Sequence, residues 1–433
     1  MRIPLRLRNY LHQTVHQIQK LSDSEIKSLP PLARYVVAPS LSVLAGVTDG
    51  ANSFRAWLSR QGLLSPAPLP VPVIGIGSLT AVGTGKTPFV EFLARHYGRT
   101  HATRSLVLQA GAGIADETKF LADVLSDQPV SVAGVNSAPE AREVVDEHPT
   151  AGLVLLDDGL QQLHLLRDME IVCVNCLSPF GNGHTRPRGA LREPARLALR
   201  RADAVVLHHA DLAGEESVAR VHAQLSALAP RHTLFMRTRM APLSLRSLVP
   251  AAGSLDMSES GGLGAHVGLA RLHGAHVVFL VAVGMPESVA AHVRALGAAH
   301  VEPAGEFEDH HEFELEELQD AIDRVRALQA RPGVRHACLL TTEKDYARQR
   351  DLFEAVFAQH AADPDVTSGP LGDGERRWGA YLLQSGLEVT QHDRRFSSTK
   401  AVFNAVLRLA RDNFRRRADA EGKKKKMGRN YVL

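Results

Sequence analysis

Three cysteines in 433 residues are too few for a disulfide scaffold and suit a reducing compartment. Cys173 and Cys176 form a CxxC within the apolar run IVCVNC, but the second pair that a structural zinc site needs is missing. Aromatic residues make up only 5% of the chain. No stretch of 18 uninterrupted apolar residues occurs, so no clear bilayer-spanning helix is expected. A net charge of +3 gives no overall polycation, which argues against nucleic acid as a partner. Internal repeats are lacking too, and no segment marks an obligate protein partner.

What is present is ample apolar content, 44%, in a chain long enough for two domains. Charge is unevenly spread. The stretch NFRRRADAEGKKKKMGRN holds Arg415, Arg416, Arg417, Lys423 to Lys426 and Arg429, and reads either as a solvated tail or as a segment drawn to an anionic membrane face. The first 22 residues carry Arg2, Arg6, Arg8 and Lys20 and no acid, a composition compatible with an organelle transit peptide. Residues 32–64 mix apolar side chains with Arg34, Tyr35, Arg55, Trp57 and Arg60, which fits a helix in a membrane interface or one packed on the domain.

From residue 71 onward short Val/Ile/Leu runs alternate with helical patterns. PVIGIG, SLVLQAG, PVSVAGV, GLVLLDD, EIVCVN and DAVVLHHA form one set; HTLFMRTRM, HVVFLVAVG, HVEPAG and HACLLTTEKD form a second. Continuous apolar strands separated by helices predict a doubly wound, mainly parallel α/β sheet covered on both faces. The expected division is an N-terminal extension (1–37), a membrane-proximal segment with the first α/β lobe (38–225), a smaller α/β lobe completing a cleft (226–412) and a basic tail (413–433). The Gly- and Ser-rich residues 251–268 read as a flexible surface loop.

The segment VPVIGIGSLTAVGTGKTPFVEFLARHY is the most informative. Gly85-Lys86-Thr87 is the tail of a Walker A motif, with Thr80 standing where the first glycine belongs. Gly83, Thr84 and Gly85 would bring backbone N–H groups to a nucleotide phosphate. Lys86 would reach the outer phosphates and Thr87 would hold Mg²⁺. LVLLDD supplies the matching acidic strand end, with Asp157 and Asp158 as Mg²⁺ residues. A P-loop NTPase-like fold binding a nucleotide and Mg²⁺ is expected from this context. TTEKD places Lys344 beside Asp345, a spacing that fails the guanine-reading motif of GTPases.

GSLTAVGTGKTP, ADETKF, DDGLQQLHLLRD, GNGHTRPRGALREP, EFEDHHEF and TTEKD occur in the order seen in the tetraacyldisaccharide 4′-kinases, and the chain resembles that family over residues 38–412, its plant versions above all. The resemblance implies ATP-dependent phosphorylation of the 4′-hydroxyl of a tetraacylated glucosamine disaccharide 1-phosphate, a step of lipid A biosynthesis. It implies a peripheral membrane enzyme on a reducing side, mitochondrial in the plant-like case. It gives Asp116 the role of the acceptor-side carboxylate and His310 that of its histidine partner, with Lys86 on the phosphates. Arg186, Arg188 and Arg192 would lie in a surface loop or touch phosphate, Arg192 being the preferred contact.

Several positions depart from the family pattern: Val82 for glycine, Ala110 and Ala112 for arginine and tyrosine, Gln162 for histidine, and Asn136-Ser137 for Asp-Arg. Losing an arginine removes a bidentate anion donor. A weakened homologue that binds nucleotide or lipid, or an unrelated P-loop NTPase, are the alternative readings.

Overall fold

The structure, a computed structural model, describes residues 14–15, 17–63, 66–80, 83–110, 114–249, 264–360, 365–366 and 377–429. The chain forms two compact units, Met1–Arg239 with Val389–Leu433, and Met240–Glu388.

The first unit is built on β1 (Val73–Ser78), β2 (Ser105–Ala110), β3 (Val130–Val135), β4 (Leu153–Asp157), β5 (Met169–Asn175), β6 (Ala204–His208) and the start of β7 (Leu234–Ser247). Their order is 3-2-4-1-5-6-7, and every pairing in it is parallel. Residues of β1, β2, β4, β5 and β6 are all buried, which is why they read as unbroken apolar runs; β3, at the edge, is only half-buried. The chain leaves β1 toward β2 and β3, returns to β4, and then crosses to β5 on the other side of β1. That reversal puts a topological switch point at the C-terminal ends of β1, β4 and β5, where such sheets bind ligands.

The second unit carries β9 (His276–Phe279), β10 (His300–Pro303), β11 (His336–Thr342) and β12 (Arg377–Gln391), joined in parallel in the order 10-9-11-12. A short β8 (His266–Val267) runs antiparallel to the end of β7. Its core gathers Val278, Leu339, Ile322, Phe353, Phe357 and Trp378.

These boundaries differ from the expected ones. The second unit starts and ends within two long strands, near residues 240 and 388 rather than 226 and 412. The basic C-terminal stretch is not a free tail in its described part: the helix Thr399–Arg429 belongs to the first unit. Phe403 packs on Phe92, with ring centroids 5.2 Å apart, and its carbonyl accepts from the Tyr97 hydroxyl. Arg417 donates to both oxygens of the buried Asp168 at 3.1 Å, and Asp168 Oδ2 also accepts from the Val73 N–H of β1 at 3.0 Å. The expected loop at 251–268 lies outside the described residues up to 263.

Part of the N-terminal extension is folded. Ile18 is fully buried, and its carbonyl accepts from Arg188, as does that of Leu21. The helix Ala38–Arg60 then turns Ala38, Leu41 and Ala45 inward, where they are buried, whereas Val43, Leu44, Val47, Phe54 and Trp57 are exposed.

Candidate active site

β1 runs into the glycine turn at the switch point. Gly83 (φ 66°) and Gly85 (φ 73°) both occupy the left-handed region. A Cβ on Gly85 would stand 2.6 Å from the His208 ring, so the backbone approaches β6 as closely as glycine permits. Gly85 is the N-cap of the helix Lys86–His101; no side chain caps it, and no acid occupies its first turn. First-turn N–H groups of such a helix lack intrahelical acceptors and favour an anion. Val82 lies outside the described residues.

Lys86 Nζ donates to Ser78 Oγ at 3.2 Å and pairs with Asp158 at 3.3 Å. Thr87 Oγ1 donates to Asp157 Oδ2 at 3.2 Å. Burial, then the nearby Glu117 charge, pushes the Asp157 carboxyl up to about 7 despite Lys86. Asp158 is partly buried, but Lys86 and Arg192 outweigh that desolvation and hold it below the ordinary carboxylate range. Its backbone is left-handed, φ 55°, which turns its side chain back to Lys86 and to Arg192 Nη1 at 2.5 Å. The structure thus brings Lys86, Thr87, Asp157 and Asp158 together.

The donor set suits the expected groups. One hydroxyl and clustered carboxylates, one of them protonation-prone because it is buried beside negative charge, match a hard divalent cation such as Mg²⁺. The uncapped helix start and Lys86 suit a polyphosphate such as that of ATP.

Two residues here were not assigned roles from sequence. Glu117, held by the Gln109 amide, acts on Asp157 through its charge; its place beside Asp116 in ADETKF was the available signal. Ser78 at the end of β1 steadies Lys86 and donates to the Thr80 carbonyl.

Of the three loop arginines, Arg192 is the one joined to the carboxylates. Arg188 is almost wholly buried and holds Ile18, Leu21 and Asp23. Burial lowers the pKa of Arg186.

Asp116 is the third residue of the helix Ile114–Val124, inside its first turn and not at its N-cap; its side chain lies outside the described residues. His310 belongs to the second unit, with φ 67° and its N–H donating to the Ala282 carbonyl at 3.1 Å. Among the departures, Ala110 is buried at the end of β2, Ser137 caps the helix Ala138–Glu147, and the Gln162 carbonyl accepts from Arg167. Ala112 lies outside the described residues. Cys173 and Cys176 are buried thiols whose pKa values burial raises, and no metal-binding group of His, Cys, Asp and Glu is found among the described residues.

Strand order and the neighbourhood of Lys86 and Asp157 place the first unit among the P-loop α/β phosphate-handling proteins. More narrowly, residues 37–364 match the family model described as Tetraacyldisaccharide-1-P 4′-kinase, and the chain belongs to that family. A probable tetraacyldisaccharide 4′-kinase, mitochondrial, of Arabidopsis thaliana is 30% identical over 364 residues, covering 78% of this chain and 88% of its own. The tetraacyldisaccharide 4′-kinase of Anaeromyxobacter dehalogenans strain 2CP-1 is 34% identical over 389 residues, 83% of this chain and 92% of its own. The fold is shared with a solved structure, the "apo" form of LpxK from Aquifex aeolicus in complex with ATP. Its TM-score is 0.52 at 20% identity, with 86% of this chain and 99% of that one covered.

Proposed function

We propose that this chain transfers the terminal phosphoryl group of ATP to the 4′-hydroxyl of a tetraacylated disaccharide 1-phosphate, as a lipid A 4′-kinase. The observation that carries the reading is the cluster of Lys86, Thr87, Asp157 and Asp158 at the switch point of a family member. Lys86 and the uncapped helix start hold the phosphates, and Lys86 exchanges Asp158 for them. Thr87 and Asp157 would hold Mg²⁺, which would supply positive charge to offset that of the phosphates. Asp158 and Arg192 keep the pocket's charges aligned. The family resemblance assigns Asp116 to the acceptor hydroxyl, as the group that orients it and takes its proton, and His310 to support of that carboxylate.

The exposed face of the helix Ala38–Arg60 supports peripheral membrane contact. Val43, Val47 and Phe54 recur at helical spacing on one side, with Trp57 stacked on Phe54 at 5.8 Å. No described helix is long and apolar enough to cross a membrane. The mitochondrial name of the Arabidopsis relative and the acid-free basic N-terminus support a mitochondrial location.

Purified protein incubated with labelled ATP and tetraacyldisaccharide 1-phosphate tests the reading. A labelled bisphosphate product, lost in Lys86→Ala, is expected. ATP binding without transfer would favour a weakened homologue, and lipid-independent hydrolysis an unrelated NTPase.

A further inference from the structure

None of the roles assigned to ATP, Mg²⁺ or the acceptor hydroxyl falls on the TTEKD segment, yet it is wired to the loop that carries His310. Asp345 is fully buried. Its Oδ1 accepts from the Ala282 N–H at 3.2 Å, and the Ala282 carbonyl accepts in turn from the His310 N–H at 3.1 Å. One peptide group thus links the Asp345 carboxylate to the His310 backbone. Arg348 Nη1 fixes the other side, donating to Asp345 at 3.3 Å and to the His311 carbonyl at 3.1 Å. Thr342 Oγ1 donates to Asp345 Oδ2 at 2.7 Å. His310 sits in the left-handed region, which a non-glycine residue holds only when its surroundings over-determine it.

The side chain is addressed separately. Lys344 Nζ lies 3.3 Å from His310 Nε2. An ammonium group only donates, so Nε2 accepts. The competing Asp309 Oδ2 is 3.8 Å from Nε2, beyond hydrogen-bond reach, and Asp309 Oδ1 lies 3.6 Å from Lys344. Asp345 and Arg348 are paired together, and Glu317 binds His311.

We propose that TTEKD is the positioning apparatus of His310: Lys344 sets the imidazole to its Nδ1–H tautomer, and Asp345 holds the backbone that presents it. A ring accepting at Nε2 offers one donor, at Nδ1, and that is the form needed to bond an ionised carboxylate while leaving it basic. The proposal rests on the acceptor-side role given to His310 above. Lys344 is a positioning residue, acting through that ring.

The test joins a spectrum to kinetics. Long-range ¹H–¹⁵N correlation of the full chain, with His310 assigned by difference from His310→Gln, is expected to show the Nδ1–H form. In Lys344→Met the Nε2–H form should gain, and kcat should fall about tenfold or more while KM for ATP and lipid moves less than about twofold. Lys344→Arg, which keeps a donor, should recover most of the loss. A slow His310→Gln beside a Lys344→Met with ordinary turnover and an unchanged tautomer would overturn the proposal. Ordinary turnover in His310→Gln would instead remove the role of His310 on which it stands.

Discussion

The Thr87 hydroxyl donates to Asp157 across 3.2 Å, tying the first turn of the loop-following helix to the end of β4. Both groups are buried, and in the proposed kinase the bond would set where Mg²⁺ is held. Thr87→Val should lower kcat by about 10- to 100-fold and raise the Mg²⁺ concentration needed for half-maximal rate, whereas Thr87→Ser should stay close to the parent. Mg²⁺ titrations of initial rate check this; an unchanged requirement in the valine variant would detach Thr87 from the metal.

Gly85→Ala tests the closeness of the loop to β6. The added Cβ meets the His208 ring at 2.6 Å on a backbone with φ 73°, so strain and overlap act together. A loss of about 2 kcal/mol or more in unfolding free energy is expected. Nucleotide affinity should fall with it. Denaturant melts and ATP titration measure the two.

Stability should depend on pH through His336. Its imidazole is buried in β11 and donates from Nδ1 to the Arg377 carbonyl at 2.9 Å; burial lowers its pKa to about 4. The unfolded chain therefore takes up this proton near pH 6.5, before the folded one does. The contribution is harmless above about pH 6.5 and destabilises progressively as pH falls toward 4, by roughly 3 kcal/mol once below both values. His336→Asn keeps a donor near the Nδ1 position and has no proton to gain. The stability gap between parent and variant should shrink by that amount between pH 7.5 and pH 4; parallel curves would exclude His336 as the cause.

The outward face of the helix Ala38–Arg60 predicts membrane partitioning. Replacing Val43, Val47 and Phe54 together by Glu should reduce co-sedimentation with anionic and zwitterionic vesicles at least about tenfold. Turnover on detergent-dispersed substrate should be kept. Equal sedimentation of parent and variant would show that the face serves another purpose.

Much of this architecture was legible in the sequence. Strands β1, β2, β4, β5 and β6 announce themselves because both faces are buried, and that demands unbroken Val/Ile/Leu runs. Lys86, Thr87, Asp157 and Asp158 could be named because a strand, a small-residue turn and a helix leave few places for a phosphate. What stayed hidden depends on partners far along the chain. Arg417 looks like part of a charged tail until Asp168, 249 residues earlier, is found beside it. Arg188 reads as a surface-loop cation, and nothing local reveals that carbonyls near residue 20 enclose it. The strand Arg377–Gln391 escaped notice because its second half is only partly buried and its pattern is mixed.

The enclosure of Arg188 also bears on maturation. If a peptidase trims this polypeptide on import, its cut has to fall upstream of Ile18. A cut beyond Leu21 would strip these carbonyl acceptors from a guanidinium that is sealed away from solvent, on the same short loop that sends Arg192 to Asp158. Ile18 and Leu21 thus belong to the same folded unit as the loop of Arg188 and Arg192.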